Sequence, residues 1–226
     1  MAFQDEFRAT IESSDFSCEG VEVHRLSGSE AIGRLYDFEV EVACAHQDSS
    51  NLDGIEGSRV TVTMERLAGP GEGWHGVRKI HGMVAEVEDM LATHADVHVY
   101  RLRVVPRAFA LTLVEIQDIY MNLSVPDIIK EKLQHVGLGA DMEMRLSGTY
   151  PPREFVVQYN ESDLAFVSRQ AEHLGISFYF QHGDASDTMV FTDDTSGFQP
   201  VDGAKSIPYG AHVADGTVYR PALSRS

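Results

Sequence analysis

The sequence predicts a mainly β protein with barrel-like domains and a smaller α+β segment. Short amphipathic strands follow one another through the first 105 residues. After Pro106 the apolar residues recur at helical spacing, so a different kind of structure begins there. The 226 residues are 43% hydrophobic and 23% charged, which is the composition of an ordinary folded protein with a sizeable core.

The first 105 residues contain five or six predicted strands. Between 37 and 44, apolar residues such as Phe38 and Val40 alternate with acids, which places the apolar side chains on one face. The same alternation predicts strands at 21–26, 60–64, 80–87 and 97–104. Strands at this spacing are typical of a barrel or a sandwich. We expect a closed or nearly closed antiparallel barrel, because closure leaves no exposed strand edges.

A helix is predicted directly after Ser124. This serine stands three residues before Asp127, and Pro126 lies in the first turn, which together are typical of a helix start. Apolar residues then recur at helical spacing until Gly137, which supplies the stop. The sequence therefore predicts a short helix between Ser124 and Gly137.

A second helix is predicted to begin with Asn160 as its cap, because Asp163 follows three residues later. Gly175 ends its apolar stripe. The stripe consists of Leu164, Val167, Ala171 and Leu174. Alternating aromatic residues then predict a strand at 176–180, which a Gly183-Asp184 turn joins to a further strand at 189–191.

The last part of the sequence, from Asp193 onward, is rich in Gly, Pro, Asp and Ser. Its apolar pieces are short. We expect loops and isolated strands whose partners lie beyond residue 226.

The charge balance argues against polyanionic partners. Lys and Arg number 18 against 35 Asp and Glu, which gives a formal net charge of −17. No basic stripe offsets this charge, so nucleic acid and anionic membrane surfaces are poor partners. The first residues are acidic where a secretory signal is basic, and no run of about 18 apolar residues occurs. We therefore expect neither a cleaved signal peptide nor a spanning helix.

Two glycine-rich stretches match phosphate-binding motifs in part but lack their context. Residues 71–76 fit the dinucleotide fingerprint, yet strands are predicted on both sides where that motif needs a helix. Residues 28–35 lack the Lys and the Ser or Thr of a phosphate loop. We interpret both stretches as loops.

The histidines and acidic turns do not form a metal-binding pattern. His94 and His98 have the spacing of a helical metal site, but the sequence around His98 predicts a strand, so we interpret the histidines as surface residues. The acids Asp184, Asp187 and 193–194 are too few for a calcium loop.

No nucleophile with a neighbouring base is apparent. Cys18 and Cys44 lack such a partner, and two cysteines do not constitute a disulfide framework. The G-x-S-x-G motif that places a nucleophilic serine on a sharp turn does not occur. A carboxylate pair for glycoside cleavage stays open, because 35 acids always permit some pair.

The segment 153–193 carries a distinctive order of residues: Arg, Val-Gln-Tyr, Glu-Ser-Asp, Phe-Val-Ser-Arg, and Gly-Ile followed by aromatics. Its marked positions are Arg153, Gln158, Tyr159, Glu161, Asp163, Phe166, Arg169 and Gly175. This order resembles the VgrG family, the spike or tip proteins of type VI secretion, which are similar to the hub proteins of contractile phage tails. Landmarks at 35–38, 81–84 and 124–129 agree in the same order, so the resemblance covers about residues 5 to 195.

Most of the marked positions have a structural explanation as helix caps, buried aromatics or a glycine stop. Arg153, Glu161 and Arg169 form either a charged network between helix and sheet or separate surface charges.

The resemblance implies a tail-hub architecture with three parts: a first barrel-like tube domain at 1–105, an α+β connecting segment at 106–150, and the start of a second, incomplete barrel at 151–226. It implies a homotrimer whose barrels form a pseudo-sixfold ring on a hexameric tail tube protein of the Hcp type, with effector proteins as further partners. The family continues with the rest of the second barrel, an OB-type domain and a β-helical needle. Membrane contact belongs to that needle, and its role is not carried over to these residues.

The role implied is mechanical, without catalysis, metal or cofactor, in a protein assembled in the bacterial cytoplasm and then injected without a cleaved signal. Two other functions stay open at this point. One is a prophage tail hub or baseplate protein, which has the same fold and serves DNA delivery. The other is a secreted cell-wall hydrolase with an acidic cleft.

Overall fold

A computed structural model describes residues 7–45, 52–67, 74–90 and 97–199. The elements of the first lobe, which we define as residues 7–105, are β1 (Phe7–Glu12), β2 (Val21–Ser29), β3 (Asp37–Ala45), β4 (Arg59–Leu67), β5 (Trp74–Asp89) and β6 (Val97–Val105). The elements of the second lobe, residues 106–199, are β7 (Glu115–Leu123), α1 (Val125–His135), β8 (Met142–Arg145), β9 (Arg153–Ser162), α2 (Asp163–His173), β10 (Ser177–His182) and β11 (Asp187–Thr192). Single 3₁₀ turns lie at Arg107–Thr112 and Thr195–Gly197.

The first lobe is one curled antiparallel sheet with the strand order β1-β4-β5-β6-β3-β2. The edge strands β1 and β2 approach each other, with Cα atoms within 8 Å, without joining into a ladder. The mainly β fold and the antiparallel arrangement are therefore confirmed, and the sheet curls into a half-barrel that its edge strands leave open. Strand β1 was not among the predicted strands, although Ala9 and Ile11 alternate with polar residues there.

The curl follows from the alternation seen in the sequence. On β3, Val40 and Val42 are completely buried while Glu41 between them lies on the opposite face, and Leu102 lies opposite Val40 on β6. The inward residues of the strands form one apolar core. Strand β4 precedes the glycine-rich stretch, and β5 begins within it at Trp74, so the interpretation of 71–76 as a loop is wrong for residues 74–76. Residues 71–73 lie outside the described residues.

The second lobe contains a three-stranded sheet, a two-stranded ribbon and two helices. In the sheet, β10 pairs with β11 antiparallel, as predicted, and β8 joins β11 in parallel. In the ribbon, which is formed by β7 and β9, the strands run antiparallel. The alternation of apolar and polar residues predicted no strand at β7, β8 or β9.

The first helix is confirmed and the start of the second was predicted wrongly. Ser124 caps α1, and its side chain accepts a hydrogen bond from the Asp127 N–H. In α2 the cap is Ser162 and not Asn160. Asn160 lies within β9 at φ +46°, where the pairing with β7 is irregular. The pairing resumes after it, and the strand continues for two more residues to Ser162.

The core of the second lobe combines residues from both sides of position 150. Ala108 and Leu133 pack in the same cluster as Val167 and Phe191. Phe180 packs against this cluster and also against the core of the first lobe. The division of the chain into three parts, at residues 105 and 150, stays a prediction.

Gly82 marks a close approach of two strands. A Cβ at this position would lie 2.6 Å from the main-chain oxygen of Val105 and 2.9 Å from Val104 Cγ1. At Gly76, on the same strand, a Cβ would lie 3.6 Å from Thr63 Cγ2, which is an ordinary contact.

We therefore expect Gly82→Ala to lower the free energy of unfolding by about 1–3 kcal/mol through overpacking. Gly76→Ala should be neutral or stabilise by up to about 1 kcal/mol, since glycine is unfavourable inside a strand. Urea unfolding measures both, and an equal effect of the two substitutions would contradict the close approach.

Candidate functional site

The described ranges contain no group of three or more His, Cys, Asp or Glu side chains placed to hold a metal ion. Neither described helix is long and apolar enough to cross a membrane. Three other arrangements are prominent. They are a buried ammonium network beneath the 153–175 segment, a carboxylate junction between the lobes, and an exposed apolar face of the ribbon.

The ammonium network centres on Lys132 of α1, whose side chain is 1% exposed. Its Nζ lies 2.9 Å from Asp163 Oδ1 and 3.6 Å from Asp118 Oδ2. Gln158, also fully buried, donates from Nε2 to the same Asp163 oxygen over 2.9 Å and to the Glu161 main-chain oxygen over 3.0 Å. Because a buried ammonium is costly without partners, these contacts fix β9 and α2 against α1.

Tyr120 completes the network beneath the ribbon. Its hydroxyl donates to Asp118 Oδ2 over 2.8 Å, and its ring stacks on Phe166 at 5.7 Å between centroids. Burial, followed by the hydrogen bond to Asp118, raises the pKa of Tyr120. Burial opposes ionisation of Asp118, but hydrogen bonds from Tyr120 and the Ile119 N–H and the charge of Lys132 outweigh it, so the pKa of Asp118 is lowered.

The other marked residues of the 153–175 segment separate into different roles. Arg169 forms an ion pair with Glu161, whereas Arg153 donates to Gln170 Oε1 over 3.3 Å and does not join that pair. The three-residue charged network is therefore formed only in part. Gly175 adopts φ +70°, which the turn after α2 requires.

The junction between the lobes is built on Asp187, which is 4% exposed at the start of β11. Arg107 donates from Nε to Asp187 Oδ1 over 2.8 Å and from Nη1 to Asp141 Oδ2 over 2.9 Å. The Tyr36 hydroxyl lies 3.3 Å from Asp187 Oδ2 and 2.5 Å from the main-chain oxygen of His81. Tyr36 and His81 belong to the first lobe, so one carboxylate connects both lobes.

The pKa shifts agree with this geometry. Burial raises the pKa of Tyr36, and the neighbouring Asp187 carboxylate adds to the shift. The hydrogen bond from Arg107 lowers the pKa of Asp141. Burial opposes the charge of Arg107, but its bonds to Asp141 and Asp187 outweigh it and raise the pKa of Arg107.

Two histidines extend the junction. His81 is 4% exposed, with Nδ1 2.9 Å from Thr61 Oγ1 and Nε2 2.8 Å from the main-chain oxygen of Gly183. The His81 main-chain N–H donates to Nδ1 of His182 over 3.1 Å. The interpretation of the histidines as surface residues is therefore wrong for this pair, because Gly183 in the β10–β11 turn contacts the His81 ring and the His182 side chain is 8% exposed. His94 lies outside the described residues.

The ribbon exposes apolar side chains on the face that points away from α2. We define this outer ribbon face by Ile119, Met121, Phe155, Val157 and Tyr159, all of them exposed. The opposite face buries Tyr120 and Val156 against Phe166 and Ile128. The ribbon is thus apolar on both faces.

The fold and these sites can be compared with known proteins. The sequence profile of the phage tail baseplate hub family matches residues 29–223. The chain belongs to this family. It is 30% identical over 209 residues to the type VI secretion system spike protein VgrG1b of Pseudomonas aeruginosa, covering 92% of this chain and 27% of that protein. The chain therefore spans about a quarter of the length of such curated relatives. The resemblance to the VgrG family that the sequence predicted is confirmed.

A solved structure agrees over most of the chain. The E. coli c3393 protein, described as a component of the type VI secretion system with similarity to the T4 tail proteins gp27 and gp5, matches with a TM-score of 0.72 and 25% identity. The match covers 85% of this chain and 51% of that one. A prophage tail protein from Shewanella oneidensis shares the fold at a TM-score of 0.53 and 13% identity, covering 83% of this chain and 53% of that one.

One relative is named for an enzymatic activity. The actin cross-linking toxin VgrG1 of Vibrio cholerae is 31% identical over 190 residues, and the match covers 83% of this chain but 16% of the toxin.

The sequence analysis found the 153–175 segment and missed the junction. Asp187 was weighed as a calcium ligand and rejected, and its contacts with Arg107 and Tyr36 were not predicted. The landmarks at 35–38 and 81–84 already contained Tyr36 and His81. Their order along the chain was visible, but the contact between them and Asp187 was not.

The junction should dominate stability among the charged pairs. Arg107→Ala leaves the Asp187 carboxylate buried without its ionic partner, which should cost about 3–5 kcal/mol of unfolding free energy. Arg103→Ala is the matched control, because Arg103 pairs with Asp37 at a site where both side chains are about two-fifths exposed, and it should cost about 1 kcal/mol or less. Denaturant unfolding of both variants measures this, and equal losses would contradict a buried ion pair at the junction.

Proposed function

We propose that this chain is the hub portion of a type VI secretion spike, a structural component of a contractile injection machine. The observation that carries the proposal is the family match across most of the chain, supported by the similarity to c3393. In this role the chain forms a homotrimer whose ring sits on a hexameric tail tube protein of the Hcp type. The likeness to prophage tail proteins, at low identity, concerns the fold alone.

The proposed role is mechanical. The junction and the ammonium network join sheets and helices into one body that transmits force, and the role needs neither turnover nor a cofactor. In this proposal the 151–226 segment begins a second barrel, effector proteins are carried as cargo, and the protein is assembled in the cytoplasm and injected by the machine.

Self-association is the property that tests this role. Each copy carries a formal charge of −17, so the copies repel one another at low ionic strength. Salt shortens the range of this repulsion to a Debye length of about 8 Å at physiological strength. We therefore expect a monomer or weak trimer in dilute solution at low salt, and a shift toward trimer as salt and protein concentration rise.

Light scattering across protein and salt concentration measures the association directly. A salt-dependent trimer supports the hub role. A stable twofold dimer under all conditions would contradict it.

A further inference from the structure

A small cavity lies where the turn between β2 and β3 meets strand β10 of the second lobe. Its volume is about 270 Å³. The main-chain N–H of Gly33 donates to the main-chain oxygen of Phe178 over 2.7 Å, which holds the turn against β10. Cavities for drug-sized molecules begin at about 300 Å³, so this one has the size for a short piece of a larger partner.

The apolar part of the lining comes from both lobes. Ile32 of the turn is 59% exposed, and Tyr179 and Phe180 of β10 are half-buried. The Phe180 ring meets the Tyr36 ring edge-on, with 5.1 Å between the centroids. An apolar side chain that enters the cavity displaces water from this lining.

The charged part of the lining is positive, although the chain as a whole carries −17. Arg78 pairs with Glu30, and the same carboxylate lies 3.4 Å from Nε2 of His182. Arg34 is exposed, and no acid in the described part of the chain lies within ion-pair distance of its guanidinium. Arg34 therefore leaves one positive charge of the lining without a partner.

The edge of β10 adds main-chain groups. In the described sheet β10 pairs with β11 alone. The Phe178 oxygen points to the turn and therefore away from β11, so the N–H and C=O of Phe180, two residues later, point the same way. Among the described residues these two groups bond to no main-chain group on that side. An extended peptide can therefore pair with them.

We propose that this cavity binds a short acidic segment of a partner polypeptide, in which an apolar side chain stands next to a carboxylate. The carboxylate pairs with Arg34, the apolar side chain contacts Ile32 and Tyr179, and the main chain of the segment bonds to Phe180. This site goes beyond the hub role and does not depend on it.

Other ligand classes match the lining less well. A cation meets an excess of positive charge. A nucleic acid is repelled by the net charge of −17 and meets a single unpaired arginine here. An uncharged apolar segment covers Arg34 without replacing the water that it loses. An acidic segment with an apolar neighbour satisfies both parts of the lining.

A peptide titration of the full chain tests the proposal. The probe is acetyl-Leu-Glu-amide, and acetyl-Leu-Gln-amide is the matched peptide without the carboxylate. The protein variants are Arg34→Gln and, as the control, Arg66→Gln. Arg66 is an exposed arginine of β4 that does not line the cavity, so both variants lose the same charge. The amide NMR signals of Ile32 and Tyr179 report binding at low salt, and the remaining amide signals show that each variant is folded.

We expect the wild type to bind acetyl-Leu-Glu-amide with a dissociation constant on the order of 1 mM, since the contact is small. Loss of the carboxylate should weaken binding about tenfold, because a hydrogen bond to a charged group is lost. In Arg66→Gln this difference between the two peptides should persist. In Arg34→Gln it should shrink to about twofold or less, because the group that distinguishes the peptides is gone.

Three results would overturn the proposal. They are no shift of the Ile32 and Tyr179 signals well above millimolar peptide, equal binding of both peptides by the wild type, and an equal loss of discrimination in the two variants. Each of these leaves the hub role standing, because that role is tested by self-association and not by the cavity.

Discussion

The contact between the two lobes is organised around one buried carboxylate, that of Asp187. It lies at the start of β11, 4% exposed, and it is reached from the second lobe by Arg107 and from the first by Tyr36. Removing such a charge from water is unfavourable unless partners replace the water. Arg107 replaces it from within the second lobe, and the Tyr36 hydroxyl of the first lobe lies against the other carboxylate oxygen. Arg107 also binds Asp141 before β8, which extends the same constraint to the parallel strand. A local ionic contact thereby fixes the relative position of sheets that are far apart in sequence.

The sequence predicted the features that depend on neighbouring residues. The serine, proline and acid at 124–127 are sufficient to start α1, and the alternation along β3 is sufficient to orient it. Predictions failed where contacts between residues far apart in the sequence determine the structure. Asn160 has the properties of a helix cap, but the pairing of β9 with β7 carries the strand on to Ser162. Tyr36 and Asp187 are 151 positions apart, and no local pattern indicates that they meet.

The residue pattern of the ribbon explains why its strands were not predicted. Phe155, Val156 and Val157 are consecutive apolar residues, so β9 shows no alternation. That pattern is typical of a strand covered on both faces. Inside the chain, Phe166 and Ile128 cover one face. The outer face remains exposed among the described residues.

Native-state hydrogen exchange tests the central claim, that the junction makes the two lobes one cooperative body. The amides to compare are those of Val62 in the first lobe and Phe191 in the second, both of them buried in their cores. The account predicts that both exchange with the free energy of global unfolding, because neither lobe opens without breaking the Asp187 contacts. Exchange of Phe191 at a distinctly lower free energy than Val62 would show that the second lobe unfolds by itself and would contradict the claim.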